Sequence, residues 1–90
     1  MAIVNFTYAL KRFFPKIQSC EIEATNVKDL VEQLESKYPG IKDYILEDHG
    51  MLRKHVNIFI NNNLISDRQN LSDLLENSSE VYVMQALSGG

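Results

Sequence analysis

The last eleven residues, Glu80-Val81-Tyr82-Val83-Met84-Gln85-Ala86-Leu87-Ser88-Gly89-Gly90 (EVYVMQALSGG), decide how the rest of the chain must be arranged. Val81, Val83, Gln85 and Leu87 alternate with Tyr82, Met84 and Ala86, the period of two expected of a strand. Such a strand at the end of a short chain must join a sheet begun much earlier. The obvious partner is the opening segment, where Val4, Phe6, Tyr8 and Leu10 are apolar at every second residue, with Asn5, Thr7 and Ala9 between them. Both segments carry enough apolar side chains to be central. Paired directly they run parallel, so everything between them is one crossover connection.

That connection contains the rest of the fold. After Lys11-Arg12-Phe13-Phe14-Pro15, the residues Cys20, Ile22 and Ala24 alternate with Ser19, Glu21 and Glu23, which predicts a second strand closing a hairpin. Asn26 is placed to cap a helix, with Asp29 in its first turn and Val27, Leu30, Val31, Leu34 and Tyr38 at helical spacing. Pro39-Gly40 ends it. Ile41 to Leu52 shows no clean period and reads as loop or short turns. Val56, Ile58 and Ile60 form a third strand, Asn61-Asn62-Asn63 a tight turn, and Leu64-Ile65 a short fourth strand. Leu71, Leu74 and Leu75 predict a brief helical turn before the last strand. The order is β-β-α-β-β-β. One helix then has one sheet face to bury itself against, an α+β fold of the ubiquitin-like β-grasp kind with a mixed sheet.

Composition bounds what such a domain can do. Ninety residues make one core, 44% of them hydrophobic and 23% charged, with no low-complexity tract. A net charge of -3 repels a phosphate backbone, so nucleic acid is not an expected partner. No run is apolar enough to span a membrane and Met1-Ala2-Ile3-Val4-Asn5 lacks the pattern of a signal peptide, which makes the cytoplasm the expected location. The lone Cys20 shares a face with Ile22 and Ala24, where a small buried hydrophobe is the ordinary occupant. His49 and His55, near Glu47 and Asp48, have no zinc-ligand spacing and read as loop residues; no metal is expected. No nucleophile triad or phosphate loop is present.

Three stretches carry a resemblance to a known family. LVEQLESKYPGI (30–41), HVNIFINNNLI (55–65) and EVYVMQALSGG (80–90) together resemble the ubiquitin-like sulfur carriers of the MoaD/ThiS type, with the cysteine-biosynthesis carriers nearest in appearance. The likeness spans nearly the whole chain and is most specific at the Val56-Asn57 strand and the terminal Gly89-Gly90. The chain departs from the molybdopterin synthase small subunits in having Gln85-Ala86 where two prolines are usual, and Asn77-Ser78-Ser79-Glu80 where an Asp-Gly-Asp turn is usual.

The resemblance implies that the carboxylate of Gly90 is the working group. An activating enzyme of the ubiquitin-activating adenylyltransferase type uses ATP to form an acyl-adenylate there; sulfur then displaces AMP, and the resulting thiocarboxylate is delivered to a sulfur-accepting synthase. The chain itself is then a protein co-substrate and not an enzyme, and holds no cofactor. Some relatives also require a protease to remove a C-terminal extension. The expected organisation is a β-grasp domain over 1–87 and a tail of Ser88, Gly89 and Gly90. A chance Gly-Gly end occurs in roughly one chain in two hundred. Glycine suits a narrow enzyme channel because it has no Cβ and tolerates unusual torsions. Leu87 to Gly90 extended reach about 13 Å at roughly 3.3 Å per residue. Acceptor pathways of the cysteine or homocysteine kind, molybdopterin synthesis, conjugation to lysines as a protein modifier, and a passive interaction domain remain distinct alternatives.

One surface follows from strand parity. If Val56, Ile58, Ile60, Val81 and Val83 face the helix, then Phe59, Tyr82 and Met84 lie together on the opposite sheet face. They are candidates for a partner-docking patch like the apolar sheet face of ubiquitin, the alternative being ordinary scattered surface hydrophobes. Phe13 and Phe14 either extend that patch or close the end of the core. Arg53 and Lys54 read as solvated charges.

Overall fold

The computed structural model describes residues 1–85. Five strands, β1 (Ala2–Phe6), β2 (Cys20–Ile22), β3 (Val56–Ile60), β4 (Asn63–Leu64) and β5 (Glu80–Gln85), form one sheet in the order β2-β1-β5-β3-β4. β1 and β5 are the parallel central pair, in register at Val4 with Val81 and Phe6 with Val83. β2 runs antiparallel to β1, and β3 antiparallel to β5. The expected mixed β-grasp sheet is therefore present. The expected strand residues Ala86 and Leu87 lie outside the described residues.

The first strand is shorter than its alternation predicts. β1 stops at Phe6, where Thr7 makes the last ladder bond to the Val83 carbonyl (3.1 Å), and Tyr8–Lys11 winds as a single helical turn, α1. Ala9 and Leu10 are both buried while Tyr8 is 79% exposed. Two adjacent buried residues cannot share one face of a strand but can share one side of a helix. The strand thus ends at Phe6, four residues before the alternating apolar pattern does at Leu10.

α2 (Val27–Lys37) is the main helix, and Asn26 caps it by accepting from the Asp29 N–H at 2.8 Å. Val27, Leu30, Val31 and Leu34 are buried on the sheet, each contributing roughly 1.5–3 kcal/mol of burial. Its first turn is also held from outside, since Val27 N–H donates to the Asp73 carbonyl and Lys28 N–H to that of Leu71. The segment after α2, expected as loop or short turns, contains a second helical piece, α3 (Ile41–Ile45). Gly40 enters it at φ +100°, a left-handed torsion that glycine takes without a Cβ penalty. Glu35 supplies the missing cap from the preceding helix, accepting from Gly40 N–H (3.0 Å) and Lys42 N–H (2.8 Å).

Asn61 and Asn62 have φ of +49° and +73°, the type I′ signature that matches strand twist, and join β3 to β4 (Asn63–Leu64). Ile65 falls just past β4, buried, with its N–H on the Ile58 carbonyl. The helical turn expected at Leu71, Leu74 and Leu75 does not form. Leu71 is buried with φ +56°, Leu75 is half-buried, and Leu74 is 76% exposed. Asp67 is the cause: its carboxylate accepts from the N–H groups of Gln69, Asn70 and Ser72 and from the Ser72 hydroxyl, giving the backbone a local alternative to a helix. Those bonds also hold the Asp67 carboxyl below the usual carboxylate range, with the Asn70 N–H the largest influence. Among the described residues, no helix is long and apolar enough to cross a membrane.

Candidate functional site: the open face of the sheet

The helices cover one face of the sheet, and β5 shows what remains on the other. Val81 and Val83 are buried beneath α2, while Tyr82 and Met84 are 42% and 38% exposed. Tyr82 lies between Asn5 on β1 and Phe59 on β3, and Phe59 in turn faces Leu64 on β4. Met84 sits opposite Asn57. Phe59, half-buried, and the two exposed β5 residues therefore share one surface, as strand parity predicts. Ile3 and Leu64 enlarge it, at 37% and 56% exposure. Both could have been found from sequence: Ile3 has the opposite parity to Val4, and Leu64 follows from folding the strand back across the Asn61-Asn62 turn. Asn5 interrupts the apolar row, its Oδ1 accepting from the Ser19 hydroxyl at 2.7 Å.

The end of the described chain is anchored at the middle of this sheet. Gln85 pairs with Val56 on one side and donates its N–H to Thr7 Oγ1 (3.3 Å) on the other. Gln85, the last described residue, thus belongs to the central strand that also carries Tyr82 and Met84. Leu87, Ser88, Gly89 and Gly90 themselves lie outside the described residues.

Other candidates have structural roles. Cys20 is half-buried, and burial raises its thiol pKa more than the nearby Lys37 charge lowers it, the opposite of what activates a nucleophilic cysteine. His49 and His55 are exposed, and among the described residues no three His, Cys, Asp or Glu side chains are grouped to hold a metal. Phe13 and Phe14 belong to the helical layer and not to the open face: both pack on Tyr44, with ring centroids 4.9 and 5.8 Å away. Arg53 is not simply solvated, since it pairs with Glu47 (3.1 Å) and donates to the Asp43 carbonyl, whereas Lys54 is exposed. Arg68 went unnoticed in the sequence. Its guanidinium reaches Asn57 Oδ1 and the carbonyls of Arg53 and Val56 at 2.8–3.0 Å, tying the loop before β3 to the strand. Nothing in the local pattern distinguishes it from a surface arginine.

The sheet order, the single main helix and the parallel central pair define a ubiquitin-like β-grasp protein. The chain belongs to the ThiS family, whose model matches residues 12–90. Among solved structures, it resembles a chain of the Amycolatopsis orientalis BexX/CysO complex at 18% identity and a TM-score of 0.84, covering 100% of each chain. CysO of Mycobacterium tuberculosis matches at 19% identity and a TM-score of 0.82, over 97% of this chain and 100% of that one. The small archaeal modifier protein 1 (SAMP1) of Methanosarcina acetivorans matches at 27% identity and a TM-score of 0.80, over 99% and 95%. No curated protein matches the chain.

Proposed function

We infer that this chain is a sulfur carrier whose C-terminal Gly90 carboxylate is converted to a thiocarboxylate. The observation that carries the reading is the junction of an exposed apolar sheet face with the strand that runs into Ser88-Gly89-Gly90, in a chain of the ThiS family. A carboxylate is a poor electrophile. A partner adenylyltransferase attacks the α-phosphorus of ATP with the Gly90 carboxylate, releasing pyrophosphate and leaving an acyl-adenylate. Sulfide then forms the C–S bond as AMP departs, leaving a thiocarboxylate. The product is ionised at neutral pH and attacks an electrophile held by an acceptor synthase, of the cysteine- or homocysteine-forming kind.

The fold supports the carrier role through reach and docking. Five residues follow Gln85, an extended span of at most roughly 17 Å at 3.3 Å per residue, enough to enter a cleft while the body stays outside. Tyr82, Met84 and Phe59 offer the body a contact surface beside that exit, and the glycines spare the channel any side chain. The bonds change at Gly90 under the catalysis of partner enzymes, so the chain acts as co-substrate and not as catalyst.

Conjugation to lysines is a second reading, favoured by the 27% identity to a protein named as an archaeal modifier. The same adenylate serves both. Incubation with ATP, the adenylyltransferase and a sulfur donor, followed by intact-mass measurement, should show one oxygen exchanged for sulfur. A denaturing gel of cell extract showing a ladder of conjugates, with no such exchange, would favour the modifier instead.

A further inference from the structure

The polypeptide places its charges unevenly. Residues 1–20 contain no Asp or Glu but include Lys11, Arg12 and Lys16, in a chain whose net charge is -3. This basic segment runs over the end of the helical layer, where it forms one wall of a shallow cleft of about 350 Å³. Phe13, Phe14 and Tyr38 supply its apolar surface, and both of the chain's prolines, Pro15 and Pro39, stand at its sides. Lys16 and Lys37 complete the lining. Phe13 is 60% exposed in spite of its contact with Tyr44.

The cleft is built to persist. Phe14 meets Tyr44 edge-on, Tyr38 meets Phe6 edge-on at 6.3 Å, and Phe14 lies against the left-handed Gly40, where an added Cβ would be 3.8 Å from its ring. Proline walls and interlocked rings have little conformational freedom left to lose when something binds. The charges are also available. Among the described residues the ion pairs are Lys42 with Glu32 and Arg53 with Glu47, so Lys11, Arg12, Lys16 and Lys37 are not neutralised there. Glu35, one helical turn from Tyr38, is already occupied by the Gly40 and Lys42 N–H groups.

We propose that this cleft is a second docking site, which takes a short segment of a partner protein with an apolar anchor flanked by Asp or Glu. The anchor fills the space between Phe13, Phe14 and Tyr38, and the carboxylates pair with Lys16 and Lys37. The occupant is a peptide and not a nucleic acid because the cleft is mainly apolar, its cations are few, and the molecule as a whole is acidic. The cleft belongs to the helical layer, on the opposite side of the sheet from Tyr82 and Met84. A partner held here leaves the open face and the tail free for an enzyme.

The test is a selection from a displayed library of random 12-residue peptides, with the intact protein as bait and a Lys16→Glu/Lys37→Glu variant as counter-bait. Enriched peptides should carry an apolar residue flanked by Asp or Glu. Titrated into isotope-labelled protein, they should shift the amides of Phe13, Phe14, Lys37, Tyr38 and Gly40. Charge reversal should weaken binding about tenfold and Phe13→Ser about fivefold, with thermal melting confirming that each variant remains folded at the temperature of the titration. Peptides without acidic bias, shifts confined to the open face, affinity unchanged in both variants, or an oligodeoxynucleotide binding as tightly as the peptide would each overturn the proposal.

Discussion

Tyr82 on β5 stands directly opposite Phe59 on β3, and the pair forms the centre of the one sheet face that the helices leave uncovered. Valines at 81 and 83 fix this orientation, because both are fully buried and a slip of one residue would put them in solvent and Tyr82 in the core. The apolar surface is therefore a consequence of the core, and the strand that bears it precedes Ser88-Gly89-Gly90 in the sequence.

A charge at this pair should weaken recognition without unfolding the protein. Tyr82→Asp and Phe59→Asp are each expected to raise the carrier concentration needed for half-maximal adenylation about tenfold or more, the effect of losing a central contact residue. Pyrophosphate exchange reads the effect and thermal melting checks the fold. Adenylation at wild-type carrier concentrations would mean that the enzyme grips another surface.

Arg68 should matter to stability out of proportion to its anonymity in the sequence. Replacing it with Lys keeps the charge but cannot span Asn57 and the Arg53 and Val56 carbonyls together. A loss of about 1–3 kcal/mol in urea unfolding is expected, with the larger part of the effect on the Arg53–Val56 loop.

At the β3–β4 turn, the sign of the effect depends on the Cβ. Asn62, at φ +73°, should accept Gly with a change of no more than a few tenths of a kcal/mol, whereas Val should cost about 1–2 kcal/mol. Asn61 should not be altered in the same test, because its Oδ1 also accepts from the Glu80 N–H.

Acid should destabilise the protein through two carboxylates that serve as backbone caps. Asp67 and Glu35 both have folded-state pKa values below the ordinary range, held down chiefly by the Asn70 N–H for the first and the Gly40 N–H for the second. A depressed folded pKa means that the unfolded chain binds the proton more readily. The stabilisation is thus fully present above the unfolded value of about 4 and is lost as pH falls through the lower folded value. In Asp67→Asn and Glu35→Gln, stability measured by urea titration should fall less steeply between about pH 5 and pH 2 than in the wild type.

How much of this was legible from residues alone depended on how local the cause was. The cap at Asn26, the helix stop at Pro39-Gly40, the turn at Asn61-Asn62 and the parity of Phe59, Tyr82 and Met84 all depend on neighbours within a few positions, and each could be read directly. The misreadings came from tertiary burial and from side-chain hydrogen bonds that an apolar pattern does not show. Tyr8 to Leu10 continued an alternating pattern, but tertiary burial of Ala9 and Leu10 turned the chain into α1. Ile41 to Ile45 became helical because Glu35 caps it from the previous helix, and Leu71 was held out of a helix by the hydrogen bonds gathered at Asp67. Arg68 escaped notice because its partners Arg53, Val56 and Asn57 precede it by eleven or more positions. The chemistry proposed for Gly89 and Gly90 rests on residue type and family, since both lie outside the described residues.

The most direct test of that chemistry is to locate the sulfur. After reaction with ATP, the adenylyltransferase and a sulfur donor, fragmentation of the intact chain in a mass spectrometer should place the oxygen-for-sulfur exchange on the fragment that ends at Gly90, and a chain lacking Gly90 should remain unchanged. An exchange found elsewhere in the chain, or one that survives removal of Gly90, would contradict the carrier reading.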